Sequence, residues 1–452
     1  MTINKTRKMF GTDGVRGKAG QYPLDSATVM QIGFAAARVF IKHLAPGLDP
    51  LIMLGMDTRE SGPSIRESLI AGLSRGGMTV VDCGIITTPG VAYLTKMGRA
   101  VAGVVISASH NPYDDNGIKF FSHAGTKLPD AVEQEIEHSL SSTEQPSTIN
   151  RKDGKHMVAR YGAFLASTVP GKSFLQGMRI VVDCGHGAAV SVVPALFKEL
   201  GADVIIVNAQ PTGRNINDAC GALHPGNISA LVTANGAACG ISYDGDADRV
   251  MFVDETGVVR DGDYLLAILA IHFKKAGRLI NNTLVSTVMA NMGLSLAMER
   301  EDIVLKQTSV GDRYVYEEMI RTGAIIGGEQ SGHIILTDFL QTGDGILSSL
   351  QILSILKSSG KSFSELAQSM DKFPQVLINE RVAHKIPLEQ LPKTLNAVQS
   401  AEKQLGREGR VLVRYSGTEN LIRVMIEGKD KDAITAMART IAATALMELG
   451  KA

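Results

Sequence analysis

The residues best equipped for chemistry lie in four short loops. In the first, Ser107-Ala108-Ser109-His110-Asn111-Pro112 closes the apolar run Val101 to Ile106 and is followed by Asp115-Asn116-Gly117-Ile118-Lys119. A buried β-branched run that stops in small polar residues puts a serine hydroxyl at the carboxyl end of a strand, where α/β proteins bind ligands. Ser109, with Lys119 close by, reads as a nucleophile that carries a phosphoryl group; taken alone, the six residues fit an ordinary strand-to-loop transition equally well. The second loop, Tyr243-Asp244-Gly245-Asp246-Ala247-Asp248-Arg249, sets three carboxylates at alternate positions, so an extended loop converges Asp244, Asp246 and Asp248 on one hard cation. Magnesium suits that donor set and keeps positions open for a phosphate. A calcium-binding EF-hand competes, because Glu255 is twelfth from Asp244, but the sixth position is Arg249 where the sharp turn needs glycine. A solvated acidic turn is the other alternative.

The third loop, Gly327-Gly328-Glu329-Gln330-Ser331-Gly332-His333, offers a carboxylate and a hydroxyl that can grip vicinal sugar hydroxyls where the backbone comes close. His333 is either a base or a loop residue satisfied by backbone contacts. Downstream, Asp344 in Thr342-Gly343-Asp344-Gly345 reads as a helix N-cap with a structural role. The fourth loop, Arg414-Tyr415-Ser416-Gly417-Thr418-Glu419 with Arg423 on the following strand, combines guanidinium groups, hydroxyls and a flexible turn. Such a set suits a dianionic phosphate, although a charged surface hairpin has the same composition.

The elements that must position these loops repeat three times. The first copy has strands at Leu51 to Leu54, Thr79 to Asp82 and Val101 to Ile106, with a helix from about Ser64 to Arg75. The second runs through Ile180 to Val182, a helix from Val190 to Leu200, Val204 to Val207 and Cys239 to Ser242. The third has Leu284 to Val288, a helix around Gly293 to Arg300, Ile303 to Lys306 and Ala324 to Ile326. Alternating strands and helices predict α/β units with mixed or parallel sheets, and equivalent loops at equivalent edges suggest one shared cleft. The polar stretch Ser141 to Gly154 reads as a linker, and Lys357 to Lys361 and Phe373-Pro374 mark the approach to a C-terminal piece of another kind. That piece shows strands at Val411 to Arg414 and Leu421 to Ile426 and a helix from about Asp432 to Leu449. Domains are therefore expected at 1–150, 151–256, 257–370 and 371–452.

Lys plus Arg and Asp plus Glu both total 46, so no global field draws in nucleic acid or an anionic membrane. Cys83, Cys184, Cys220 and Cys239 are scattered without a C-x-x-C pair, which suits free thiols in a reducing, cytoplasmic setting. No secretory signal is visible after the polar start, and the apolar run Tyr264 to Phe273 is too short for a membrane span and reads as a core helix.

All four loops, in this order, resemble the α-D-phosphohexomutase superfamily over essentially the whole chain. Phe10-Gly11-Thr12-Asp13-Gly14-Val15-Arg16-Gly17, Gly311-Asp312-Arg313-Tyr314, Gly328-Glu329-Gln330-Ser331-Gly332-His333 and Ser416-Gly417-Thr418-Glu419 resemble its amino-sugar branch. Relatives acting on mannose or glucose phosphates typically have methionine where Gln330 stands; that activity is the alternative. The resemblance implies four domains in a heart, three similar α/β domains with mixed sheets and a smaller α+β C-terminal domain. It also implies an isomerase that interconverts glucosamine 6-phosphate and glucosamine 1-phosphate for UDP-N-acetylglucosamine synthesis, with one Mg2+ per subunit and glucosamine 1,6-bisphosphate as activator. By position, Ser109 is then the phosphoserine and, through its phosphate, a metal ligand beside Asp244, Asp246 and Asp248. Arg16, Lys119 and Arg249 would lie near the transferring phosphoryl, Lys119 or His333 would move the proton, and Glu329 and Ser331 would contact the sugar. Arg414, Ser416, Gly417, Thr418 and Arg423 would hold the phosphate that is not reacting. Partners are then small sugar phosphates, with neither nucleic acid nor membrane, and the chain is expected to act as a monomer or homodimer. Ala247, where glycine is common, and Asn420, where proline is common, depart from the pattern.

Overall fold

A computed structural model describes residues 9–451 except 12, 142–144, 147 and 417–419. The chain divides into two compact units, Met1–Met289 with Asp302–Ser369, and Ala290–Glu301 with Met370–Ala452.

The first unit holds three sheets built on one plan. Asp49–Met56 runs parallel to Thr79–Ile85 and to Ala100–Ile106, and beyond the serine loop the chain returns antiparallel as Asp115–Ser122. Arg179–Asp183 likewise lies between Asp203–Val207 and Cys239–Tyr243, with Val250–Asp254 as the antiparallel return. In the third sheet Thr283–Thr287 lies between Val304–Thr308 and Ile326–Gly328, and Ile334–Leu336 returns. Each sheet has the order second, first, third, return, and each candidate loop joins the third strand to its return. Ala100–Ile106 is buried along its whole length, as a continuous apolar run in the middle of a covered sheet should be. Its polar residues are thereby confined to the strand's end.

Three expectations shift. The stretch Ser141 to Gly154, expected as a linker, ends in the strand Arg151–Asp153, which pairs parallel with Thr79–Ile85 at the edge of the first sheet. The helix predicted over Val190 to Leu200 breaks into a 3-10 turn at Ala188–Ser191 and an α-helix at Val193–Glu199. Pro194 has no N–H to continue a preceding turn and so restarts the helix. The third strand of the third copy lies at Ile326–Gly328, two residues later than Ala324 to Ile326. Met319 and Val315 of the helix Asp312–Thr322 pack on Gly327, where a Cβ would meet Met319 Sδ at 2.4 Å, so two glycines of low β-propensity pair because the helix needs that close approach. The run Tyr264 to Phe273 belongs to the buried helix Gly262–Lys275, and no described helix is long and apolar enough to cross a membrane. The four cysteines are free and buried.

The second unit is an antiparallel sheet ordered Gln375–Arg381, Leu421–Gly428, Gly409–Tyr415, with the helices Pro392–Leu405 and Lys431–Leu449. Val424 and Ile426 of the middle strand form its core with Ile434, Ala438 and Ile441. The helix Met292–Arg300, although it belongs to the third copy in sequence, groups with this unit. Asn291 Nδ2 and the Met292 N–H donate to the buried Glu427 carboxylate at 3.1 and 2.8 Å. The architecture is four α/β parts, three of one design and one smaller and different.

Candidate active site

Ser109 is buried and takes a left-handed backbone conformation, φ 52°, which is uncommon outside glycine. Its hydroxyl donates to Asp244 Oδ2 at 2.7 Å, and its N–H donates to Ser107 Oγ at 2.9 Å. Ser107 Oγ in turn donates to Asp57 Oδ2 at 2.7 Å. The fully buried Arg59 pairs with the same Asp57 oxygen through Nε at 2.9 Å and spends the rest of its fork on backbone carbonyls of the loop. Nη2 reaches Ser109 O at 2.9 Å and Asn111 O at 2.8 Å, and Nη1 reaches Asp115 O at 3.0 Å and Pro112 O. The strand Asp49–Met56 thus ends in a residue pair that shapes a neighbouring strand's loop.

Asp244, Asp246 and Asp248 are all buried, and one ligand oxygen from each lies within 4.8 Å of the others. Thr88 donates to Asp246 Oδ2 at 2.7 Å, while Asp246 Oδ1 and Asp248 Oδ1 are buried without a hydrogen-bond partner among the described residues. Hard oxygen donors with unspent lone pairs fit a divalent cation. Burial, with Asp248 and Asp246 adding repulsion, pushes the Asp244 carboxyl well above the usual range. Burial also opposes ionisation of Asp248, but His333, Lys119 and Arg249 outweigh it and hold Asp248 well below that range. A bound dication would relieve the repulsion that Asp244 bears. Ala247, at φ 57°, takes the left-handed turn that glycine would make at less cost.

Lys119 Nζ lies 3.4 Å from Asp246 Oδ2, 3.3 Å from Asp13 Oδ2 and 3.9 Å from Asp248 Oδ2. Burial would lower its pKa, but these three carboxylates overcome it and hold the ammonium protonated beyond its ordinary range. Arg16 pairs with Asp13 and donates through Nη1 to Ala108 O at 3.2 Å. Arg249 donates its N–H to Asp244 Oδ1 at 3.1 Å. His333 Nδ1 is 3.6 Å from Asp248 Oδ2; burial lowers its pKa, yet Asp248 wins and raises it to about 9. The His333 ring covers Gly343, where a Cβ would meet Nε2 at 2.3 Å.

The third loop seats on the second: Val250 N donates to Gly332 O at 3.1 Å, and a Cβ on Gly332 would meet Val250 O at 2.2 Å. Glu329 accepts from the Gly311 N–H at 3.0 Å and from Ser331 Oγ at 3.3 Å. Asp344 caps the helix Gly345–Ser359 by accepting from Leu347 N at 2.9 Å, as its sequence position predicts. These contacts link Ser109, Lys119, Arg16, Asp244, Asp246, Asp248, Arg249 and His333, while Glu329 and Ser331 pair with each other in the loop that seats on Val250. Arg414, Ser416 and Arg423 lie in the second unit, where Arg414 and Arg423 face each other across adjacent strands. Burial, then Arg423, lowers the Arg414 pKa. Ser416 is buried, and its carbonyl accepts from Lys385 Nζ at 2.7 Å. Gly417 and Thr418 lie outside the described residues.

Asp57, Arg59, Thr88 and Asn217 were not singled out by their sequence context. Asp57-Thr58-Arg59 directly follows a strand in the same way as the serine loop, and that position was the available signal. Thr88 and Asn217 carry none, since they act on loops 158 and 108 residues away.

Residues 7–147, 159–257, 261–373 and 377–444 match, in order, domains I, II and III (α/β/α) and the C-terminal domain of phosphoglucomutase/phosphomannomutase. The chain belongs to the phosphoglucomutase/phosphomannomutase family. Within it, the chain is 48% identical over 451 residues to a phosphoglucosamine mutase of Syntrophotalea carbinolica, covering 98% of each. It is 49% identical over 444 residues to one of Thermoanaerobacter sp. (strain X514), covering 96% of this chain and 98% of that one. The fold is shared with a phosphoglucomutase/phosphomannomutase family protein of Burkholderia thailandensis, at TM-score 0.79, 21% identity and 98% of each chain. An Aspergillus fumigatus N-acetylphosphoglucosamine mutase, solved with GlcNAc-6P and magnesium, matches at TM-score 0.66 and 19% identity, over 93% of this chain and 97% of that one.

Proposed function

We propose that this mutase interconverts glucosamine 6-phosphate and glucosamine 1-phosphate through a phosphoserine at Ser109 and a bound glucosamine 1,6-bisphosphate, supplying UDP-N-acetylglucosamine synthesis. The observation that carries the reading is the Ser109 hydroxyl, 2.7 Å from Asp244 in a buried cluster of three carboxylates, in a chain about half identical to phosphoglucosamine mutases. Asp244, Asp246 and Asp248 would hold Mg2+ together with the Ser109 phosphate. When bound, Mg2+ neutralises charge on the phosphoryl group in transit. Lys119, Arg16 and Arg249 surround the same position with fixed positive charge.

In the first half-reaction the substrate's free hydroxyl oxygen bonds to phosphorus as the bond to Ser109 Oγ breaks. Lys119 gives one proton to the departing Ser109 Oγ and takes up the one lost by that hydroxyl, so it ends the step protonated as it began. Lys119, held protonated by three carboxylates, is assigned as the proton donor and charge stabiliser. His333, paired to Asp248 and stacked on Gly343, is assigned to orienting the metal loop. The bisphosphate then turns, and its other phosphate returns to Ser109. Glu329 and Ser331 would grip the sugar, while Arg414, Ser416, Gly417, Thr418 and Arg423 would hold the phosphate that is not reacting. Domains at 1–150, 151–256, 257–370 and 371–452 would each supply one loop, and four free buried thiols support a cytoplasmic setting.

Turnover of glucosamine, glucose and mannose 1-phosphates with catalytic bisphosphate tests the reading. The glucosamine ester should give the highest kcat/KM, and Ser109→Ala should lower turnover by orders of magnitude with the fold intact. Equal activity in Ser109→Ala, with no phosphorylated population of the wild type in intact-mass spectra, would end it.

A further inference from the structure

Asn217 belongs to none of the four loops, yet it touches the first. It is buried, takes a left-handed backbone at φ 59°, and its N–H donates to Gly185 O at 2.9 Å. Its side-chain amide donates to Ser109 O at 2.9 Å and to Asn111 O at 3.3 Å. These are the same two carbonyls that Arg59 takes, at 2.9 and 2.8 Å, from the strand end in the first sheet. Asn217 comes from the second sheet's side of the sequence, between Asp203–Val207 and Cys239–Tyr243. The serine loop's carbonyls are therefore held from both sides.

The metal loop closes on the same point. A Cβ on Gly245 would meet Ser109 O at 2.5 Å and Asn217 Nδ2 at 2.8 Å, so Gly245 admits the serine carbonyl and the amide that holds it. Asn217 Oδ1 is buried and has no hydrogen-bond partner among the described residues. An amide kept only for fold stability would be expected to use both ends, because an unpaired buried acceptor is costly. Here only the donor end, aimed at the nucleophile's own carbonyl, is used.

We propose that Asn217, acting with Arg59, is a positioning residue that sets Ser109 Oγ in register with Asp244, Asp246 and Asp248 for phosphoryl transfer. The inference rests on the mutase reading above. It predicts a loss in the chemical step rather than in substrate or metal binding, since the hydrogen bonds go to the backbone of the residue that receives the phosphoryl group. Misplacing a reacting atom by about 1 Å can cost on the order of a hundredfold in rate.

The test uses Asn217→Gly, which keeps the left-handed backbone and removes the amide, and Arg59→Lys, which keeps a charge for Asp57 and loses the fork. Expected is a kcat lowered roughly 30- to 100-fold in each. KM for glucosamine 1-phosphate and the half-saturating Mg2+ concentration should stay within about twofold of wild type. Single-turnover phosphorylation of dephosphorylated enzyme by glucosamine 1,6-bisphosphate, followed by intact mass, should slow by the same factor as kcat. In that step Ser109 Oγ bonds to phosphorus, the sugar oxygen leaves, and the serine proton ends on the sugar hydroxyl. Unchanged kcat and phosphorylation rate in both variants overturn the proposal. So do parallel losses in kcat, metal affinity and thermal midpoint, or loss of the fold in both, because the residues would then serve structure alone. Failure of the wild type on every glucosamine phosphate, with Ser109 still phosphorylated by a different hexose bisphosphate, would sink the substrate reading and leave this one standing.

Discussion

Thr88 gives its hydroxyl to Asp246 Oδ2 at 2.7 Å and its backbone N–H to the Asp246 carbonyl at 3.0 Å, so one residue orients both ends of a candidate ligand. Thr88→Val keeps the shape and removes a charge-assisted hydrogen bond worth about 1.5–3 kcal/mol. Loss of an orienting partner of this kind typically weakens metal affinity by about 10- to 100-fold. Calorimetric titration of the protein with Mg2+, beside the Mg2+ dependence of turnover, measures it; an affinity equal to wild type would mean that Thr88 only begins its helix. At this scale the loops were legible because each carries its chemistry in consecutive residues. The alternation of Asp244, Asp246 and Asp248 suggests a cation site, and the structure brings one oxygen of each within 4.8 Å of the others. Thr88 and Asn217 were not legible, since a partner far away in sequence leaves no spacing to read, and Arg59 showed only its place directly after a strand. Ala247 sits between: its departure from glycine was visible, and the structure adds that it occupies the left-handed turn itself.

The helix Gly345–Ser359 starts beneath the metal loop, where Gly345 N donates to Ala247 O at 3.0 Å and Asp344 forms the cap. Tyr161 OH donates to Asp344 Oδ2 at 2.7 Å. Burial raises the Asp344 carboxyl to about 6, with the hydrogen bonds from Leu347, Tyr161 and Ile346 limiting the rise. Between about pH 4, where the unfolded carboxyl titrates, and the folded value of about 6, the native state keeps a proton that the unfolded chain has lost. The contribution from this group is therefore full below about pH 4 and is lost as pH rises through 6, about 3 kcal/mol at most. Asp344→Asn removes that dependence while its amide oxygen still accepts from Leu347. Thermal midpoints of wild type and variant at pH 4.5 and 7 should show the gap moving in the variant's favour at the higher pH; an equal gap at both would refute the assignment. The cap itself was readable from Asp344-Gly345 before an apolar run. Less visible were the edge strand Gln375–Arg381 and the helix Pro392–Leu405, because both lie outside the threefold repeat and neither carries a run of buried apolar residues.

Three copies of one strand order place a polar loop at the same topological position each time, and this large-scale feature was readable because buried strands repeat as apolar runs. The C-terminal unit breaks the pattern and carries guanidinium groups instead of carboxylates. In it, Arg414 and Arg423 sit directly opposite each other, an arrangement that like charges disfavour. Arg423 Nε is buried without a hydrogen-bond partner among the described residues. Two cations set opposite each other suit a dianion that offsets their repulsion, as the proposed mechanism requires for the phosphate that is not reacting. In the proposed mechanism that pair would accept either phosphate of the bisphosphate and so serve both half-reactions. Arg423→Met keeps the aliphatic stem and removes the charge. Stability should then be equal or higher, because the repulsion on Arg414 is gone. Activity should move the other way: losing a charge-assisted hydrogen bond of about 1.5–3 kcal/mol lowers kcat/KM roughly ten- to hundredfold. A weaker hold also lets bisphosphate escape before it has turned, so turnover should depend more steeply on added glucosamine 1,6-bisphosphate. Thermal midpoints and kcat/KM with and without bisphosphate decide the matter. A variant with a lower midpoint and unchanged kcat/KM would show that the arginine pair supports the hairpin and holds no phosphate.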